Sequence, residues 1–199
     1  IKMKNIYIIL ILFLSFTIYS CAKKSDTSST TATTTELEGT WLTSCYTSSD
    51  NYSNIGKIVV SGTNVVHTSE AHSDTSCAND YSKWEYSYAS LSIGDEVTFD
   101  DGTKGHKYTL NVDSFKHTPQ SSSYVNHLNS NTACGYSDWT SNTVRDVTGL
   151  TCGSTTYPVK NTTSKGLYNL VGNNLFLGGH ITTGSYPTGV TTTITYVKQ

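Results

Sequence analysis

An all-β fold, an antiparallel up-and-down barrel of about eight strands, is what this sequence predicts, with a β-sandwich as the alternative. Three observations carry the expectation. Thr, Ser, Tyr, Gly and Asn are abundant while Leu, Ala and Glu are scarce, which favours strands and turns over helices. Short alternating apolar segments recur, separated by turn residues. No stretch beyond the leader keeps a sustained helical period.

The elements follow in order. "GTWLTSCY", residues 39–46, reads as a first strand, with Trp41, Thr43 and Cys45 on one face and Leu42, Ser44 and Tyr46 on the other. "GKIVVSGTNVVHTSE" reads as a hairpin turning at residues 61–64. "YSKWEYSYASL" alternates, with Trp84, Tyr86 and Tyr88 facing one way and Lys83, Glu85 and Ser87 the other. "EVTFDDGTKGHKYTLNV" reads as a second hairpin, turning at residues 100–105, with Tyr108, Leu110 and Val112 on one face of its second arm. From residue 116 to 165 the pattern weakens, and long loops with one or two short strands are expected. "LYNLVGNNLFLGG" restores a hairpin, turning at residues 172–174. Residues 190–197, β-branched at every position but Tyr196, form a last strand expected to pair antiparallel with the first. Ile194 and Tyr196 should point inward there and Thr193 outward, so that no sheet edge is left open.

Ahead of this domain lie Lys2 and Lys4, an apolar run over residues 6–18, and Cys21 where the run ends. The run is the length of a signal-peptide core and short for a bilayer span. "IYSC" resembles the lipobox of bacterial lipoproteins. That resemblance implies cleavage after residue 20, acylation of Cys21 and a place in the bacterial cell envelope, at the outer membrane. An uncleaved membrane anchor is the alternative. Residues 22–35 hold no large apolar side chain and read as a flexible tether. The chain thus divides into a leader (1–20), an acylated cysteine with its tether (21–35) and one β-domain (36–199).

The domain carries four cysteines, Cys45, Cys77, Cys134 and Cys152. An even number in an exported protein reads as two disulfides. Three pairings are possible, and Cys45–Cys77 with Cys134–Cys152 is preferred because it joins neighbours along the chain. No C-x-x-C pair suggests zinc. The net charge is −2 and Arg145 is the only arginine, so nucleic acid is not an expected partner. His67, His72 and Asp74 lie close in sequence, but turn chemistry is the preferred reading over a metal site. Asp100 and Asp101 before Gly102 lack the spacing of a calcium loop. No G-x-S-x-G elbow, H-E-x-x-H or phosphate loop appears, and no enzyme activity, metal or cofactor is expected.

"ELEGTWLTSCY" opening a β-domain resembles the G-x-W start of lipocalin-like proteins, at Gly39 and Trp41. More closely, the layout resembles a set of bacterial lipoproteins with lipocalin-like, or calycin-like, barrels. The matching features are Gly39-Thr40-Trp41 with Cys45, then Cys77, then the hairpin from Gly172 to Gly178. The resemblance implies a barrel whose tryptophan packs across the closed end. Trp84, Tyr86, Tyr88 and Tyr108 are the candidates to line a ligand cavity, unless they simply fill the core. Two functions are therefore expected in order. The first is a monomeric, membrane-tethered barrel holding a small apolar or amphipathic ligand. The second is an envelope protein whose polar loops over residues 116–165 meet another protein, of envelope or host, or a glycan.

Overall fold

A computed structural model describes residues 35–48, 52–99, 102–178 and 184–199. The leader, Cys21, Asp100, Asp101 and His180 lie outside the described residues. Along the chain run β1 (Gly39–Leu42), β2 (Tyr46–Thr47), β3 (Ser53–Ser61), β4 (Asn64–His72), β5 (Asp80–Thr98) and β6 (Lys104–Pro119). Helix α1 (Ser122–Ser130) follows, then three two-residue strands, β7 (Arg145–Asp146), β8 (Thr151–Cys152) and β9 (Thr155–Thr156). The last are β10 (Thr163–Val171), β11 (Asn174–Leu177) and β12 (Tyr196–Lys198).

Eight of these close a ring in the order β1, β3, β4, β5, β6, β10, β11, β12 and back to β1, every pair antiparallel. The seam joins the two ends of the domain, with Trp41 opposite Lys198 and Leu42 opposite Val197. A sandwich is thereby excluded. The β3–β4 and β10–β11 hairpins turn where the Gly-containing pairs predicted. Gly62 and Gly172 take left-handed φ values of 59° and 60°, open to glycine without a Cβ penalty.

The structure departs from the sequence reading in four places. The segments read as separate strands around residues 81–99 are one strand, β5. It survives Ser90, at φ 58°, by slipping register three times against β6. The first strand breaks after Leu42, and Thr43 turns back to β3, its hydroxyl accepting from the Gly56 N–H at 2.8 Å. Residues 122–130 form a helix the sequence did not announce. Ser121 caps it by accepting from the Tyr124 N–H at 3.2 Å, and Leu128 is its one buried side chain. Against expectation, the last strand is regular only from Tyr196. Tyr196 is buried, Ile194 packs half-buried against the core and Thr193 is exposed, as the alternation required.

The end of the barrel at the Gly62 turn is closed. Leu37 enters it, Trp41 is 1% exposed and donates its indole N–H to the Leu37 carbonyl at 2.7 Å, and the Gly62 N–H donates to Glu38 at 2.9 Å. The Tyr168 hydroxyl donates to Glu36. Gly166 exists because the Tyr108 ring lies where its Cβ would be. The void left among Leu37, Val65, Tyr108, Leu110 and Tyr168 measures 30 Å³, room for a water or two and no more.

Candidate functional site

Tyr196 forms a floor across the barrel. From β12 it reaches over Gly56 of β3, whose missing Cβ would stand 2.6 Å from the phenol oxygen. Its hydroxyl then meets His67 Nε2 of β4 at 3.1 Å. Below this floor the interior is the packed core. Above it the wall is tall on one side only, because β3 to β6 run on while β10 and β12 stop short.

The inner face of the tall wall follows from strand register. Val65, His67, Ser69 and Ala71 of β4 lie opposite Tyr88, Tyr86, Trp84 and Ser82 of β5. Trp84 and Tyr86 in turn lie opposite His117 and Phe115 of β6. Period-two alternation places all of these on one face. The sequence-predicted Trp84, Tyr86 and Tyr88 are thus brought together at the mouth, with Tyr88 deepest and buried. Tyr108 is not with them. It sits below the floor against Tyr168, in the core.

Three neighbouring recesses open at the mouth, two of them lined by Trp84. The first, 520 Å³, is walled by Tyr52, Ser69, Tyr81, Trp84 and Tyr124. The second, 330 Å³, lies beneath α1 and the Cys134–Cys152 bridge and shares Trp84, Tyr124 and His127 with the first. The third, 410 Å³, holds His67, Tyr86 and Phe115 against Tyr157 and Pro158. Each falls in the range of small-molecule sites.

The rings at the mouth hold one another. Trp84 stacks on His117 at 3.7 Å between centroids and on Tyr157 at 5.3 Å, and Phe115 stands edge-on to Tyr86 at 5.2 Å. His117 is 1% exposed, wrapped by Trp84, Tyr124 and Trp139, and neither ring nitrogen has a hydrogen-bond partner among the described residues. Burial pulls its pKa down to about 4, so it is neutral at neutral pH. Burial likewise raises the Tyr86, Tyr88 and Tyr196 phenols, and Tyr124 to about 12. Among the described residues no Asp, Glu, Lys or Arg lines the three recesses. The ion pairs Lys83–Glu70 and Lys116–Glu85 belong to the outer face of the same strands.

Loops complete the mouth and are pinned from outside. Trp139 donates its indole N–H to the Ala133 carbonyl at 3.0 Å and its backbone N–H to Asn129 Oδ1 at 2.6 Å. The Arg145 guanidinium lies 4.2 Å from the Tyr136 ring centroid and donates to Asp138 at 2.8 Å. Both disulfides join neighbours along the chain. Cys134–Cys152 forms part of the recess wall, while Cys45–Cys77 ties the chain after β1 to the β4–β5 connection. His67 and His72 lie five residues apart on opposite faces of β4, His72 Nδ1 standing 3.3 Å from Asp80. Among the described residues no three His, Cys, Asp or Glu side chains gather as a metal site.

Sequence reasoning missed His117, Tyr52, Tyr124 and Tyr157 as parts of this site. His117 shares the face of Phe115 two residues before it, but the alternation of Tyr108, Leu110 and Val112 would have put both outward; the register shift between Ser87 and Tyr88 brings them in. Tyr52, Tyr124 and Tyr157 come from segments without a repeating pattern. In comparisons of the sequence with known proteins, no family model and no curated protein matches the chain. The fold and the geometry of the mouth are what a functional reading rests on.

Proposed function

We propose that the protein is a membrane-tethered lipoprotein of the bacterial envelope whose barrel holds a small amphipathic molecule at its mouth, as a binding module and not an enzyme. One observation carries the ligand part. An aromatic recess, with no Asp, Glu, Lys or Arg among its described lining, opens above a filled interior with Trp84 at its centre. A long acyl chain finds no tunnel below the Tyr196 floor, so the ligand is short and lies at the rim. The tether rests on Cys21 at the end of the apolar run. Two or three acyl chains would hold the protein at a bilayer where one gives only marginal binding.

The test of the site is saturable capture of Nile red by the full chain, followed by dye emission. Trp84→Ala should abolish it while keeping the β-sheet circular dichroism. Equal capture by both proteins would place the ligand elsewhere. The tether is tested separately by metabolic labelling with a fatty acid, expected in the wild type and absent in Cys21→Ser.

A further inference from the structure

The first recess has a more specific chemistry than its neighbours. Tyr52, Tyr81 and Tyr124 form a continuous row of rings along the rim, with centroids 4.6 Å and 4.5 Å apart and planes within 28° and 33°. His127 continues the row, nearly parallel to Tyr124 at 11°. All four line the recess that has Trp84 at its base. Such a row comes from three separate places in the chain: the approach to β3, the start of β5 and α1. Packing alone leaves these rings at the surface, half-buried or exposed, and not in the core.

Between the rings stand neutral hydrogen-bonding groups. Ser69 and Ser82 contribute hydroxyls. Asn54 donates its amide to Ser48 Oγ at 3.0 Å and to the Tyr52 carbonyl at 3.2 Å, so its own carbonyl is what it offers a ligand. Among the described residues no Asp, Glu, Lys or Arg lines the recess. Burial raises the Tyr81 phenol, helped by its hydrogen bond with Tyr52, so this ring stays neutral.

Because the rings of the row stack on one another, a ligand suited to these surroundings lays C–H groups along the edges of the stack, turns hydroxyls to the groups between, carries no charge and needs no depth. A pyranose ring has this character, with C–H groups on its face and hydroxyls at its edge. A charged ligand would be desolvated here without a counter-charge. A fatty acyl chain would need the space that Trp41, Leu110 and Tyr168 fill. We infer that the recess lined by Tyr52, Tyr81, Tyr124 and Trp84 binds a neutral saccharide. The inference rests on the reading of the mouth as the ligand site and narrows it to one class.

The test is a printed array carrying neutral, sialylated and sulfated glycans, probed with the fluorescently labelled full chain, alongside Nile red capture in solution. Neutral glycans should bind, and Tyr52→Ala and Trp84→Ala should each weaken that binding about tenfold or more. Tyr52 lies at the rim, so its variant keeps the test sound should Trp84→Ala misfold. Nile red capture with no glycan binding would overturn the saccharide and leave the mouth as the ligand site. Failure of both probes would overturn the two readings together. A preference for sialylated or sulfated glycans, or neutral-glycan binding untouched by either substitution, would also overturn the inference.

Discussion

Acid should loosen the barrel through His117. The ring stacks on Trp84, touches Tyr124 and Trp139, and meets no carboxylate among these partners. Its imidazolium form would therefore be buried without a counter-charge, and its pKa falls from 6.5 to about 4. In the unfolded chain the group takes up its proton near the ordinary value. Between the two values the unfolded state binds more protons than the folded state, so stability rises with pH there. The contribution is complete above the unfolded value and is lost as pH falls toward about 4. The fall from 6.5 to about 4, at about 1.4 kcal/mol per pH unit, takes away about 3 kcal/mol by about pH 4, where half of the folded molecules carry the proton, a large part of the stability of a domain this size. The assay is urea unfolding followed by tryptophan fluorescence at steps from about pH 7 to about pH 4, on the wild type and His117→Phe. Phenylalanine keeps a ring against Trp84 and cannot titrate. The wild type should lose about 3 kcal/mol more than the variant across this window. Asp74, Asp138, Asp146 and Glu96 have lowered pKa values, so their contributions are present above the ordinary carboxylate range and fall away below it, in both proteins alike. Parallel curves for the two proteins would refute the argument.

Three further outcomes are expected. Gly56→Ala should cost about 1–3 kcal/mol in urea unfolding by driving the new Cβ into Tyr196, whereas Gly94→Ala, with its nearest neighbour at 3.6 Å, should cost nothing. Replacing both cysteines of either bridge by alanine should lower stability by about 3–4 kcal/mol, slightly more for Cys45–Cys77 with its separation of 32 residues than for Cys134–Cys152 with 18. Non-reducing peptide mapping should return these two linkages alone. Ile194→Asp should destabilise by about 1–3 kcal/mol and Thr193→Asp by less than about 0.5, and equal thermal shifts for the two would contradict the register.

What the sequence made legible was local. The hairpin glycines Gly62 and Gly172 announce themselves because only a left-handed position needs them there. Alternation placed Trp84, Tyr86 and Tyr88 on one face correctly. It could not tell face from depth, which is why Tyr108, equally inward, belongs to the core and not to the mouth. Depth depends on where the Tyr196 floor falls, and that is fixed by closure between residues more than a hundred positions apart. The stacking of His117 on Trp84 depends on a register shift between Ser87 and Tyr88 that no pattern reveals. Helix α1 stayed hidden because its nine residues are mostly Ser and Asn, poor helix formers, with a single buried leucine to hold them. Its effect on the site is large all the same, since it supplies Tyr124 and His127.

The seam and the first disulfide together decide how the domain answers a pull. A load entering through residue 35 passes along β1, which is flanked by β3 and β12, both antiparallel to it. Their hydrogen bonds lie across the direction of pull, so they resist in shear and yield together, not one after another. If they do yield, the strand can slide out only as far as Cys45. There the chain is bonded to Cys77, in the connection between β4 and β5. The covalent link acts as a stop on extraction: residues 35–44 can be drawn out, while β2, β3 and β4, enclosed between the two cysteines, are bypassed by the load and cannot be unravelled by it.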